Sequence, residues 1–188
     1  MEWKRCRWAD PASELYTAYH DQEWGKPEHD DRKLFEMLLL EGFQAGLSWL
    51  TILKKREAFR RAFDGFDPVT IAGYGPEKLE TLMADAGIVR NRRKIQASVQ
   101  NAKAFLNIQK EFGSFDRYLW GFTDGQVILN TDDEVRASSE LSDRVSVDLK
   151  RRGMNFVGTV IIYSFLQAVG VVNDHETGCW CYPRQDRT

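Results

Sequence analysis

Along most of the chain, apolar positions recur at about 100° per residue, the period of an amphipathic helix. Over residues 31–45 the stripe runs through Leu34, Met37, Leu38 and Ala45. Asp30 or Asp31 can cap its start, and Ser48 can cap the next helix, "WLTILKKREAFRRAF", which Gly65 stops. Pro68 opens a short helix, and Pro76 opens another through "EKLETLMADAG" to Gly87. "RRKIQASVQNAKAFLNIQKEF" carries a stripe through Ile95, Val99, Ala102 and Leu106. "FDRYLWGF", "SSELSDRVSVDLKRRG" and "FVGTVIIYSFLQAVG" read as further helices. The last is apolar on nearly all sides, which predicts the central buried helix. "GQVILNT" is the only plausible strand. With no internal repeat, low-complexity tract or linker, the pattern predicts one all-α domain over residues 1–188, an orthogonal helical bundle.

One residue breaks the first pattern. Glu41 falls on the apolar stripe, inside "LLLEGFQAGLSW". A carboxylate there costs several kcal/mol unless something pairs with it. The "GFQAG" segment after it reads as a break that turns the chain toward Trp49.

Composition changes this picture in three ways. Six Trp are present, three within the first 24 residues (Trp3, Trp8 and Trp24). Tyr16 and Tyr19 are spaced to share a helix face. Each aromatic taken alone reads as core. Together with one carboxylate they outline a pocket for a flat ligand bearing hydrogen-bond donors or positive charge. The net charge of −2 argues mildly against a nucleic-acid partner, yet "RNRRK" and "KRRG" are local basic clusters that can make a small footprint or simply a solvated face. The polar N-terminus and the absence of a long apolar run predict a cytoplasmic chain with no membrane association.

The three Cys argue for metal binding or plain burial over a disulfide framework. Cys6 and His20 lie near one end, and His175 and Cys179, four apart in "HETGC", near the other. These are either unrelated buried residues or the two-Cys, two-His set of a closed structural zinc site. Such a site holds the termini together and leaves no position open for chemistry. Cys181 is the spare thiol, and His29 reads as exposed.

"KRRGMNFVG" joins two helices through a turn with Gly153 and Gly158 at its ends. That is either an ordinary connection or the form of a helix–hairpin–helix. In the second reading, free N–H groups of the following helix and Lys150, Arg151 and Arg152 contact DNA phosphates without reading sequence.

The motifs "RCRW", "YTAYHDQEWGKP", "LFEMLLLEGFQAGLSWLTILKKRE", "DAGIVRNRRKIQA", "KRRGMNFVGT" and "VVNDHETGCWCYP" run in order from residue 5 to 183. Together they resemble the 3-methyladenine DNA glycosylase I family of the helix–hairpin–helix glycosylase superfamily; residues 112–140 carry no matching motif. The resemblance implies hydrolysis of the N-glycosidic bond of 3-methyladenine in alkylated double-stranded DNA, with free 3-methyladenine as product. It implies flipping of the base into an aromatic pocket and one structural zinc on Cys6, His20, His175 and Cys179. It assigns Glu41 to the pocket floor, Trp49 to stacking on the base, Tyr19 beside them, and Trp8, Tyr16 and Trp24 to the remaining wall. Many superfamily members use an Asp after the hairpin's second helix. Asp174 lies in that region but beside a proposed zinc ligand, so no catalytic role is assigned to it. "NFVGTVIIYSFLQ" holds no nucleophilic Lys, which predicts a monofunctional enzyme without lyase activity, acting as a monomer. Two other readings stand beside this one. A non-catalytic zinc-stapled DNA-binding module gives Glu41 no task, and a zinc hydrolase of small molecules needs an open metal position.

Overall fold

A computed structural model describes residues 4–183. Nine α-helices carry the described residues: α1 (Glu14–Gln22), α2 (Asp31–Gln44), α3 (Trp49–Ala62), α4 (Pro68–Ala72), α5 (Pro76–Ala84), α6 (Arg92–Phe112), α7 (Phe115–Trp120), α8 (Glu140–Arg151) and α9 (Thr159–Ala168). Their starts are locally encoded. Ser13, Asp30, Ser48, Asp67, Asn91, Ser114 and Ser139 each accept a backbone N–H of the first turn. α4 and α5 open on their prolines.

The centre differs from the expectation. α9 is buried along Ile162, Tyr163, Phe165, Leu166 and Ala168, but Val160 on its first turn is 54% exposed. α2 is the more enclosed helix: every residue from Leu34 to Phe43 is buried. It touches α3, α6, α7 and α9, so neighbours close it in on several sides. Mean apolarity does not report how many neighbours a helix acquires. On α6, the buried positions include Ile95, Ala102, Phe105 and Ile108, while Val99 and Leu106 are only half-buried. The stripe is turned toward α4, α5 and α7, which pack on this helix.

A second buried carboxylate, unflagged by the sequence pattern, is Glu36. Arg56 Nε and an Arg60 guanidinium nitrogen reach it at 2.5 and 2.8 Å. Arg56 also grips Glu23 through two bonds of 2.7 Å. This ion network fastens the end of α1 to α2 and α3 with paired charges.

The "GFQAG" segment is not a break at its first glycine. α2 continues through Gly42 to Gln44, and only Gly46, at φ +82°, turns the chain. A Cβ on Gly42 would stand 3.5 Å from both Cβ and the carbonyl oxygen of Phe156. Those are ordinary contact distances, so Gly42 lies against the α8–α9 turn without the turn requiring a glycine there. The strand in "GQVILNT" shrinks to β1 (Ile128–Leu129), paired in parallel with β2 (Val172–Asn173) in the register Ile128↔Val172. β2 was not foreseen, because two residues give no alternation to detect.

Candidate active site

The pocket-lining side chains come from five stretches that the bundle brings together. A cavity of about 320 Å³ is lined by Trp8, Tyr16, Tyr19, Trp24, Glu41 and Trp49, among others. All six residues expected to form a base pocket therefore face one space. Trp8 is the hub of its wall: its ring centroid lies 5.5 Å from Tyr16 and 4.9 Å from Trp24, both edge-on. Tyr19 bridges to Trp49 at 5.5 Å. Edge-to-face contacts of this kind fix ring planes and leave faces open to a ligand. The Trp8 indole N–H is buried and finds no acceptor among the described residues.

Glu41 is 4% exposed and makes no hydrogen bond or ion pair among the described residues. It contrasts with Glu36 on the same helix, which has two arginines. Burial alone raises the Glu41 carboxyl to about 8. The Tyr19 phenol is also raised, first by burial and then by Glu41, so it stays protonated as a donor. The aromatic side of the cavity, with its one buried unpaired acid, is a good receptor for a flat cation with N–H donors.

Sequence reasoning missed the polar side of the cavity. Asp174 lines it, and its carboxylate accepts from Tyr163 Oη at 2.6 Å, from Gln167 Nε2 at 2.5 Å and from Asn130 Nδ2. Tyr163 and Gln167 are four apart on α9, a helical spacing legible in the sequence. Their target lies just past β2, and the pairing could not be read from the sequence.

The two ends of the chain meet as expected. Trp180 N–H donates to the Lys4 carbonyl at 2.9 Å, and Arg7 N–H to Glu176 at 2.8 Å. His20, His175, Cys179 and Cys181 bring their ligand atoms within 4.8 Å of one another, so this cluster can hold a metal ion. Cys6 is beside it but outside that set; its sulfur accepts from Glu176 N–H at 3.4 Å. Both imidazoles are oriented by oxygen acceptors. His20 Nδ1 meets Asp21 at 2.8 Å, and Asp21 is held by Arg5 at 2.7 Å. His175 Nδ1 meets Asn173 at 3.0 Å, and its Nε2 is buried without a partner. That pattern commits each Nδ1–H and leaves the His175 Nε2 lone pair for a metal, while His20 Nε2 accepts from Cys6 N–H at 3.3 Å. Burial lowers His175 to about 4, so the ring is neutral. Gly25, at φ +73°, is required here, since a Cβ would lie 2.7 Å from the His175 ring.

α8 and α9 pack together across the turn 152–158. Gly153 has φ +92°, and Gly158 caps α9 without a side-chain bond. The turn is fastened by Asn101, which bonds the Asn155 carbonyl and N–H at 2.9 and 2.8 Å. The expected basic set divides. Lys150 and Arg151 are exposed, although Arg151 bonds Asp148. Arg152 is half-buried between Glu111 and Asp148, each at 2.6 Å, over the rings of Phe112 and Tyr118. Its guanidinium is committed inside the protein. In the other basic cluster, Arg92 pairs with Glu80 at 2.5 Å and Lys94 is buried. His29 is exposed as expected, its ring bonded to Asp116 at 2.7 Å.

Comparison with known proteins gives a consistent answer. The methyladenine glycosylase family matches residues 8–182. DNA-3-methyladenine glycosylase 1 of Escherichia coli (strain K12) is 51% identical over 185 residues, covering 96% of this chain and 97% of that protein. DNA-3-methyladenine glycosylase of Haemophilus influenzae is 44% identical, covering 94% and 97%. A crystal structure of a 3-methyladenine DNA glycosylase I variant in complex with 3-methyladenine is 35% identical, covers 96% of this chain and 98% of its own, and superposes with a TM-score of 0.91.

Proposed function

The chain belongs to the methyladenine glycosylase family, and from that premise we propose how its residues carry the reaction. It is a DNA glycosylase that removes 3-methyladenine from alkylated DNA. The observation that carries the residue-level reading is Glu41, a buried, unpaired carboxylate lining an aromatic cavity.

Methylation at N3 makes the base a cation with an already weakened bond to C1′. The N9–C1′ bond breaks with its electron pair going to the base, which leaves neutral. The sugar becomes oxocarbenium-like, a water oxygen bonds C1′, and its proton passes to solvent. No strong acid is needed, so the protein's tasks are extrusion, selection and stabilisation of positive charge. The base leaves the duplex and enters the cavity, where Trp49 stacks on it and Trp8, Tyr16, Tyr19 and Trp24 form the wall. A cationic ring beside Glu41 favours the ionised carboxylate, which then accepts from the exocyclic amine. Neutral adenine offers no such charge and meets a protonated acid.

Lys150, Arg151 and the N–H groups between Gly153 and Gly158 are proposed to hold the duplex backbone as a helix–hairpin–helix. Arg152, on this reading, braces the turn from inside. No lysine lines the cavity among the described residues, in keeping with a monofunctional enzyme. No helix among them is long and apolar enough to cross a membrane. The proposed setting is one chain acting on duplex DNA in the cytoplasm.

Zinc is the metal this donor set fits: two thiols and two neutral imidazoles whose Nδ1 atoms are committed to oxygen acceptors. We assign Cys6, His20, His175 and Cys179 as its ligands. Cys181 approaches His20 on the Nδ1 edge, at 4.0 Å, and that nitrogen is committed to Asp21. Cys179 and the Cys6 backbone both face the Nε2 edge, at 3.4 and 3.3 Å. Bound there, zinc supplies a fixed join between the ends of the chain and takes no part in the reaction.

Incubation with N3-methylated duplex DNA, followed by chromatography of released bases, tests the reading. Wild type releases 3-methyladenine, and Glu41→Gln, folded by circular dichroism, does not. Undiminished release by Glu41→Gln removes Glu41 from the mechanism. DNA binding without any release favours a non-catalytic module.

A further inference from the structure

We propose that Lys94, drawn from the basic run "RNRRK", is a positioning residue for the base site and not a DNA contact. The proposal rests on the reading of Glu41 and Trp49 as the groups that hold the base. Lys94 is 7% exposed, and no carboxylate pairs with it among the described residues. Its ammonium instead donates to the carbonyls of Phe43 at 2.8 Å and Ala45 at 2.7 Å. Those carbonyls belong to the last turn of α2, where unsatisfied C=O groups and the negative end of the helix dipole lie. The Phe156 ring of the α8–α9 turn lies 5.9 Å from the same nitrogen.

The place of this contact gives it a function. Glu41 sits on the last turn of α2, and Trp49 is the first residue of α3. Only Ala45, Gly46, Leu47 and Ser48 separate the two helices. Inside the turn, Leu47 N–H meets the Gln44 carbonyl at 2.7 Å and Gln44 Nε2 meets the Leu47 carbonyl at 3.0 Å. These bonds shape the turn but do not tie it to the rest of the protein. Lys94, arriving from α6, does so. It holds the carbonyls on both sides of Gln44, and the angle at which α3 leaves α2 follows. That angle sets the separation between the stacking ring and the carboxylate. A buried cation without a counterion is costly, and a neutral cap would satisfy the carbonyls at lower cost. The charge adds a hold on the helix dipole, and hence rigidity at the junction.

Titration of free 3-methyladenine into the full-length protein, well below its unfolding temperature, tests this. Lys94→Met is expected to bind the base at least tenfold more weakly, while binding undamaged duplex as wild type does. Lys94→Arg, which keeps charge and donors, is expected to recover most of the affinity. A Lys94→Met protein that melts earlier yet binds the base normally makes Lys94 a stability element only and overturns the proposal. A loss of duplex binding equal to the loss of base binding overturns it also, in favour of a DNA contact. If Lys94→Met does not fold, Lys94→Gln is read by the same titration, with unchanged affinity again fatal. Glu41→Gln and Trp49→Ala run alongside. If both bind the base as wild type, it is the base-site reading that has failed, and the role of Lys94 falls with it.

Discussion

Replacing Glu41 with Gln is expected to make the protein more stable at neutral pH while abolishing excision. The folded Glu41 carboxyl titrates at about 8 against 4.5 for the ordinary group, and burial is the cause. The folded state therefore keeps a proton that the unfolded chain releases between those two values. Stability falls as pH rises through that window, because the unfolded state binds fewer protons there. At about 1.36 kcal/mol per pH unit, the loss amounts to roughly 3 kcal/mol by pH 7 and roughly 4 by pH 8. Gln carries no such burden and fills nearly the same volume. Urea unfolding of both proteins at pH 5, 7 and 8 reads the difference. The variant's advantage is expected to be below about 1 kcal/mol at pH 5 and to grow to about 3 by pH 7. A difference that stays flat with pH means Glu41 is solvated or paired, and the argument for a site strained toward a cationic base fails.

Trp49→Ala is expected to weaken binding of free 3-methyladenine by about 1–3 kcal/mol, the usual worth of one stacked base, measured by calorimetry; no change makes Trp49 plain core. Chelator treatment is expected to lower the melting temperature and release the segments that hold Cys6 and Cys179. In metal analysis, Cys6→Ser is expected to lose zinc and Cys181→Ser to keep it; the opposite result exchanges their roles. Gly25→Ala forces a Cβ against the His175 ring at a backbone angle that disfavours side chains. It is expected to cost at least about 1–3 kcal/mol and to reduce bound metal, and an unchanged melting curve shows that the turn and ring can shift aside.

The chain's local rules are written in its sequence. Asp30, Ser48 and Asn91 cap the helices they precede, and Pro68 and Pro76 open theirs, because capping uses only groups a few residues apart. Glu41 was legible as a misfit because a period of 3.6 places it among apolar neighbours. Its lack of a partner was not, since Glu36 on the same helix acquired Arg56 and Arg60 from α3. The same limit applies to the basic runs. Lys150, Arg152 and Lys94 are equal as letters, yet the fold leaves the first exposed, pairs the second with Glu111 and Asp148, and buries the third under α2. Asp174 needed Asn130, Tyr163 and Gln167 from two other elements before it became part of the cavity. The sequence alone determined where most helices begin and which residues could line a pocket, whereas it set Cys181 aside and the fold placed that thiol in the His–Cys cluster. The tertiary structure alone decided which charges are paired and which polar atoms wait for a ligand. Those outcomes depend on neighbours brought together from far along the chain, and no periodicity along a single helix encodes them.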